Sequence, residues 1–137
     1  MRRNPKYNNE GYPDPTAYEA LKSVAKAEKK AAYKPLVYIC SPFSGDGDIE
    51  INIANARAFC RYAIQNNYIP FAAHLLFPQF MNDNDPKERE LAMLMNKVFL
   101  DKCDELWVFG NVITRGMNIE IKRAKKKNIK IKYFGYH

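Results

Sequence analysis

The feature that most constrains the fold is a regular alternation between short apolar runs and longer stretches with helical periodicity. The apolar runs, which have the length of strands, lie at residues 36–40, 68–74, 104–110 and 129–134. The helical segments lie at residues 49–66, 87–101 and 114–127. The order β-α-β-α-β-α-β predicts an α/β fold with a parallel sheet of four to five strands and helices on both faces, since parallel strands need crossover connections.

Periodicity within the helical segments predicts which side chains face the core. In the first segment these are Ile53, Ala56, Cys60, Ala63 and Ile64, and in the second they are Leu91, Leu94, Val98 and Leu100. The stretch "LLFPQFMNDNDP", residues 75–86, contains Pro, Asn and Asp and is predicted to be a loop.

The residues before the first strand differ in composition and are expected to form an N-terminal arm and helix, residues 1–34, ahead of the α/β domain at 35–137. Asp14 can cap this helix and Pro15 suits its first position. Its apolar stripe, formed by Tyr18, Leu21 and Ala25, is thin. We therefore expect the helix to lie on the domain or on a partner subunit.

Charge and cysteine content exclude several classes of protein. The net charge of +7 is shared by the arm and by the C-terminal "KRAKKKNIKIK", which could attract nucleic acid, although a solvated helix face is the interpretation that we favour. The three cysteines form no C-x-x-C pair, so neither a disulfide framework nor a zinc site is expected. With neither a secretory signal nor a membrane span apparent, we expect a cytoplasmic protein.

The fold class itself predicts where a ligand binds. In parallel α/β sheets, ligands lie beyond the carboxyl ends of the strands, close to a change in strand order. The loops that follow the first three strands, at residues 41–48, 72–80 and 110–116, are therefore the candidate binding loops.

The loop after the first strand combines small and hydroxyl residues ahead of a helix. Its backbone N–H groups and serine hydroxyls suit an anion or a sugar, although such loops also need Gly and Ser simply to turn. It matches neither a Walker loop nor a dinucleotide fingerprint. The candidate ligand-binding residues here are Ser41, Pro42, Phe43, Ser44 and Gly45.

The last helix begins with a second candidate motif. Thr114 is a suitable N-cap, and Gly116 lies four residues before Glu120 on the same face of the helix. Helical side chains lean toward the N-terminus, so Glu120 would overhang the gap that the glycine leaves. A partly desolvated carboxylate there could act as a nucleophile or base, or Glu120 could be an ordinary surface charge.

His74 is a third candidate, since it follows the second strand in a loop that should face the site. A lone histidine is more often a structural residue than a functional one.

Together, "VYICSPFSG", "CDELWVFG" and "TRGMNIEIKRA" before "NIKIKYF" resemble the nucleoside 2-deoxyribosyltransferase superfamily, which includes the 2'-deoxynucleoside 5'-phosphate N-hydrolases. The chain is most similar to small phage or bacterial domains of unassigned function in that superfamily. The resemblance covers about residues 35–134. It implies a flavodoxin- or Rossmann-like sheet, cleavage or transfer at the N-glycosidic bond, no cofactor or metal, and a homodimer or larger homo-oligomer.

The resemblance also implies roles for single residues. Glu120, in the form E-x-x-x-A, would attack the anomeric carbon, and Tyr38 would position it. Thr114 matches a hydroxyl that helps to hold a 5'-phosphate, and Gly116 matches a family glycine. The loop at 41–45 would contact the sugar or phosphate, Phe43 and Met117 would pack on the base, and Gly110 belongs to the third binding loop.

One departure from the family pattern concerns the leaving base. The family has an aspartate at the position of Asn96, where it assists departure of the base, and an asparagine has no proton to supply. Asp101 does not replace it, since five residues of helix place it roughly 140° around the axis. His74 is the candidate substitute for this aspartate.

These observations support a first hypothesis and two alternatives. The first is an enzyme that acts on a nucleoside or nucleoside 5'-monophosphate through Glu120. The second is a non-catalytic nucleotide-binding module, as Asn96 would allow. The third is a nucleic-acid or protein interaction module that works through Lys125, Lys126 and Lys127.

Overall fold

The computed structural model of the protein describes residues 17–24, 34–43 and 48–135. Its contacts divide the chain into two units, Met1–Lys34 and Pro35–His137. Residues 17–24 in the first unit form helix α1, in which Leu21 is about half exposed. Asp14, Pro15 and Ala25, which the sequence assigned to the cap and stripe of this helix, lie outside the described residues.

The second unit contains a parallel sheet whose described strands are in the order β2-β1-β3-β4. The strands are β1 (Leu36–Cys40), β2 (Ile69–Phe71), β3 (Glu105–Phe109) and β4 (Lys130–Phe134). The chain runs from β1 outward to β2 and then returns to the other side of β1, so the strand order changes between β1 and β3. The predicted α/β class and parallel sheet are confirmed.

The helices of this unit begin at capped positions. Asp48 and Asp85 accept hydrogen bonds from the second backbone N–H of their helices, and Thr114 accepts one from Met117. The helices are α2 (Ile49–Gln65), α3 (Ala73–Leu76), α4 (Pro86–Asp101) and α5 (Arg115–Lys126), and a 3₁₀ turn spans Phe77–Gln79. In this part of the chain, no helix is long and apolar enough to cross a membrane.

The segment after β1 and α2 differs from the sequence prediction. The strand predicted over 68–74 is only three residues long, and the predicted loop over 75–86 contains the end of α3 and the 3₁₀ turn. Ala73 and Phe77 are buried there against the sheet, so this apolar stretch leaves the sheet early and coils back over it. Pro78 fits the start of the 3₁₀ turn, where its missing N–H is not needed.

Two hydrophobic cores cover the two faces of the sheet. Leu100 of α4 and Met117, Ile121 and Ala124 of α5 pack on one face with Tyr38. The other core is rich in aromatic residues, and Phe59 of α2 stacks on Phe109 with the ring centroids 4.0 Å apart. The expectation of helices on both faces is therefore confirmed.

The prediction of the inward face of α4 is wrong for three of its four residues. Leu91, Leu94 and Val98 are 49%, 58% and 48% exposed, whereas Leu100 is buried as predicted. Leu100 lies on the opposite side of the helix from Leu91, and Leu100 and Met95 contact the core instead. Ile64 of α2 is also exposed, against prediction, and Ala56 and Ala63 are buried as predicted.

A pair of hydrogen bonds fixes β1 against β3 at the amino edge of the sheet. The backbone N–H of Asp104 donates to the carbonyl of Leu36, and the Leu36 N–H donates to the Asp104 carboxylate, both at 2.8 Å. The same edge is continued by a bond from the Ile69 N–H to the Pro35 carbonyl at 2.9 Å. In the resulting register, Tyr38 lies opposite Leu106.

Candidate active site

A cavity of about 700 Å³ lies at the carboxyl edge of the sheet. All three loops that the fold class singled out contribute to it, together with one side of α4 and the start of α5. Of the residues proposed from the sequence, those that line it are Ser41, Phe43, His74, Asn96, Thr114, Gly116, Met117 and Glu120.

The start of α5 forms one wall of the cavity. The Thr114 hydroxyl accepts a hydrogen bond from the Met117 N–H at 3.3 Å, which caps the helix. A Cβ atom built on Gly116 would meet no atom within 4 Å, so the space beside this glycine is open. Glu120 lies one turn further along, partly buried, and borders that space.

Glu120 is held by a phenol from the central strand. The Tyr38 hydroxyl, which is buried, donates to Glu120 Oε2. The neighbouring Cys40 thiol is also buried and donates to the Met117 carbonyl at 3.8 Å. Cys40 was not among the predicted site residues, but its position two residues after Tyr38 puts it on the same face of β1.

The surroundings of Glu120 shift the titration of its carboxyl group to near neutral pH. Burial raises the pKa of Glu120 to about 7, against the opposing effect of the hydrogen bonds from Tyr38 and Cys40. Burial, with the adjacent Glu120 carboxylate, raises the pKa of Tyr38 well above its usual value, so the phenol keeps its proton. Within the described residues no Lys or Arg forms an ion pair with Glu120.

His74 forms part of the opposite wall. Its Nε2 lies 3.1 Å from the carbonyl oxygen of Ser41, and because a carbonyl only accepts, Nε2 carries the hydrogen. The ring stacks on Phe43 at 4.6 Å, and Asn52 Nδ2 donates to the Phe43 carbonyl at 2.7 Å. This arrangement fixes the described end of the loop after β1.

The same contacts argue against His74 as the acid that protonates a leaving base. Burial lowers its pKa, so the ring is neutral at pH 7, and its one N–H hydrogen is held by Ser41. His74 is therefore suited to shape the cavity rather than to supply a proton.

Asn96 and Asp101 lie on different sides of α4, as the helical angle indicated. Asn96 borders the cavity, and its Oδ1 atom is buried with no hydrogen-bond partner among the described residues. Asp101 instead pairs with Arg123 at 2.7 Å, and the hydrogen bond from Arg123 lowers the Asp101 pKa. Asp101 does not line the cavity and does not replace the missing acid.

Several proposed site residues lie elsewhere. Pro42 and Gly110 do not border the cavity. Gly110 has a φ angle of 118°, which favours glycine, and its N–H bonds to the Phe134 carbonyl, so it serves the turn after β3. Met117 is 2% exposed, which makes it mainly a core residue. Ser44 and Gly45 lie outside the described residues.

Sequence reasoning placed Asn96 in the site but missed the other residues that α4 contributes to the cavity. Arg89, Met93 and Lys97 line it beside Asn96, and Arg115 lines it from α5. These α4 residues lie on the side of the helix opposite Leu91, and the more apolar stripe at Leu91, Leu94 and Val98 concealed the importance of that side in the sequence. These cations, with Asp83 and Glu88 on the same lining, give the cavity charges of both signs. No group of three or more His, Cys, Asp or Glu that could hold a metal ion occurs within the described ranges.

The sheet order, the helices on both faces and the cavity at the carboxyl edge define a flavodoxin-like α/β domain. The chain belongs to the family described as "Domain of unknown function (DUF7768)", whose model matches residues 35–134. No curated protein matches the sequence.

Among solved structures, the chain is similar to a 2-deoxyribosyltransferase from the psychrotolerant bacterium Bacillus psychrosaccharolyticus. The TM-score is 0.57 at 13% sequence identity, and the match covers 73% of this chain and 72% of that chain. That enzyme is described as a biocatalyst for the synthesis of antiviral and antitumoral nucleosides. The likeness confirms that the two proteins share a fold, as the sequence resemblance implied.

Proposed function

We propose that the protein cleaves or transfers the N-glycosidic bond of a nucleoside or nucleoside 5'-monophosphate, with Glu120 as the nucleophile. The observation that carries this proposal is the state of Glu120. It is a partly buried carboxylate with a pKa of about 7, held by Tyr38 and bordering the open space beside Gly116. Such a group is ionised often enough near neutral pH to attack carbon, and a shared fold with a deoxyribosyltransferase supports the same chemistry.

The reaction would proceed by two displacements at the anomeric carbon. A Glu120 oxygen forms a bond to the anomeric carbon while the bond between that carbon and the base nitrogen breaks. The electron pair of the broken bond leaves with the base. Water, or the nitrogen of a second base, then attacks the same carbon and releases Glu120. The Tyr38 hydroxyl keeps the carboxylate oriented through its hydrogen bond to Oε2.

The other walls of the cavity would hold the substrate. The amino end of α5, with Thr114 and Arg115, suits the sugar 5'-position or a phosphate there, because free N–H groups and the helix dipole favour anions. Phe43 and His74 present stacked rings on the far side, where a base can pack. The volume of the cavity, about 700 Å³, is within the range of small-molecule sites.

A homo-oligomer is part of the same proposal. Leu91, Leu94 and Val98 form an exposed apolar stripe on α4, the helix whose other side lines the cavity. A second copy packed on this stripe would cover apolar side chains that are otherwise exposed. Sedimentation of the wild type against Leu94→Lys measures this: the variant should shift toward the monomer, and equal sedimentation as monomers would contradict the proposal.

The test of the activity is release or exchange of the base. The purified protein is incubated with ribo- and deoxynucleosides and their 5'-monophosphates, with and without an acceptor base, and the products are separated by chromatography. We expect release that falls by at least about a thousandfold in Glu120→Gln. Glu90→Gln, which changes an exposed glutamate on α4, is the matched control and should keep full activity. Undiminished release in Glu120→Gln would refute the mechanism.

A non-catalytic nucleotide-binding module is the second candidate, and Asn96 favours it. The cavity presents a neutral amide where the family resemblance implies an acid, so departure of the base has no proton donor at this position. Saturable binding of a nucleotide, with no product at high protein concentration, would support this function over the enzyme.

A further inference from the structure

Two buried polar atoms near the cavity lack partners among the described residues. They are the hydroxyl oxygen of Ser41 and Oδ1 of Asn96, and both residues border the cavity. Ser41 is only 2% exposed. A buried polar atom without a hydrogen bond destabilises the fold, so such atoms are usually paired with a ligand or water.

The two groups belong to different elements. Ser41 follows β1, and its backbone is fixed because its carbonyl accepts the hydrogen of His74 Nε2. Asn96 extends from α4. Its amide offers an acceptor and a donor side by side, and rotation about its terminal bond is soft enough to present either to a ligand.

We propose that Asn96 and Ser41, in the lining of the cavity, recognise the amide edge, –CO–NH–, of an uncharged nucleobase. Asn96 accepts a hydrogen bond from the ring N–H and donates one to the adjacent carbonyl oxygen, and the Ser41 hydroxyl donates to a further acceptor on the base. The ligand class is then the lactam bases, such as uracil, thymine and hypoxanthine. The inference rests on the proposed function in taking the ligand to be a nucleoside.

The chemistry of departure favours the same class. An amide cannot protonate a leaving group, so the base must accept the electron pair of the broken bond as an anion. In a lactam base that charge spreads onto a carbonyl oxygen, where an N–H of Asn96 can stabilise it, and water later supplies the proton. Adenine and cytosine lack the lactam N–H and leave most easily after protonation of the ring, which Asn96 cannot provide.

Binding measurements test this inference without requiring turnover. Calorimetry compares thymidine with 3-methylthymidine, in which a methyl group replaces the ring N–H, on the wild type and on Glu120→Gln. We expect the methylated ligand to bind about tenfold to a hundredfold more weakly, and thymidine to bind more tightly than deoxycytidine.

Variants of Asn96 identify the residue that reads the edge. Asn96→Leu should bind thymidine and 3-methylthymidine alike, whereas Asn118→Leu, an exposed asparagine on α5 outside the cavity lining, should discriminate as the wild type does. Asn96→Asp keeps the acceptor and removes the donor, so it should bind thymidine more weakly and still reject the methylated ligand. If Asn96→Leu does not fold, Asn96→Asp still tests whether Asn96 binds the base.

Equal binding of the two thymidines by the wild type would overturn the inference, as would discrimination retained in Asn96→Leu or no nucleoside binding at all. The outcomes separate it from the proposed function. Weaker binding of 3-methylthymidine than of thymidine, without release of the base, would refute the proposed enzyme and support the inference. Base release that requires Glu120 and is equal for the two ligands would support the enzyme and refute the inference.

Discussion

Glu105 and Glu120 each accept a hydrogen bond from a tyrosine, but they differ in their position in the sheet and in their other partners. Glu105 begins β3, where Tyr68 and the Trp107 N–H donate to it at 2.6 and 3.0 Å and Lys132 pairs with it at 3.2 Å. Glu120, at the opposite edge of the sheet, has Tyr38 as its donor and no ion pair among the described residues.

The pKa values follow from this difference. Burial raises the pKa of Glu105, but the hydrogen bonds from Trp107, Tyr68 and Lys132 outweigh it and the net change is downward. At Glu120 burial dominates, and the pKa rises to about 7. A tyrosine donor is thus compatible with either outcome, and the balance between burial and the further donors, Trp107 and Lys132 at Glu105, decides the direction of the pKa shift.

The largest effect should come from removing the stabilised carboxylate. Glu105→Ala leaves the donors of Tyr68, Trp107 and Lys132 without their acceptor, so we expect a loss of about 2–4 kcal/mol in the free energy of unfolding. Urea denaturation at pH 7 measures it, with Glu90→Ala as the exposed control. A loss no larger than that of the control would show that Glu105 is as dispensable to the fold as a surface residue.

Removing the charge of the reactive carboxylate should have the opposite sign. The pKa of Glu120 is raised in the folded state from an ordinary value of 4.5 to about 7, so its contribution to stability is complete below 4.5 and is lost as pH rises through 7. Glu120→Gln should therefore be more stable than the wild type by about 3 kcal/mol at pH 8.5 and by less than about 1 kcal/mol at pH 5. Denaturation at the two pH values checks this, and an equal effect at both would contradict the raised pKa.

The two phenols give a matched pair of smaller changes. Tyr38→Phe removes the donor to Glu120 and should raise the Glu120 pKa further, so the midpoint of the rise in turnover with pH moves upward. Tyr68→Phe removes the donor to Glu105 and should leave that midpoint unchanged. The measurement is the pH profile of base release in both variants. An unchanged midpoint in Tyr38→Phe would show that Tyr38 does not influence the titration of the reacting group.

The smallest effect on stability is expected at Gly116. A methyl group there meets open space, and alanine favours the helix, so Gly116→Ala should be as stable as the wild type or more stable by up to about 1 kcal/mol. The methyl group occupies the space beside Glu120, so ligand binding should weaken by about tenfold. Thermal unfolding measures the stability of the variant, and calorimetry on the same preparation measures its affinity for thymidine. Unchanged affinity would place the ligand elsewhere in the cavity.

Much of the fold could be predicted because strands and helices carry different periodicities. The apolar run at 36–40 and the Thr114 cap are local signals, and both elements lie where the sequence placed them. The inward face of α4 could not be predicted, since Leu91 and Leu100 lie on two apolar faces and only tertiary packing selects one.

The candidate site was predictable to a different degree. Its position at the carboxyl edge followed from strand alternation, whereas the pairing of Tyr38 with Glu120 joins residues 82 positions apart and came only from family resemblance. The cluster of Tyr68, Trp107 and Lys132 around Glu105 was not predicted from the sequence. Its members lie on β2, β3 and β4 or beside them, and no spacing along the chain marks residues that meet only through strand pairing.

The hydrogen bonds between Asp104 and Leu36 have a consequence at a distance. Successive side chains of a strand point to opposite faces, so a shift of one residue in the pairing of β1 with β3 would turn Tyr38 toward α2 and away from Glu120. Alignment of Tyr38 with the proposed nucleophile thus depends on the strand register, which is set at the edge of the sheet opposite the cavity. Mutations near Asp104 should therefore be able to abolish the proposed activity without changing any residue that lines the cavity.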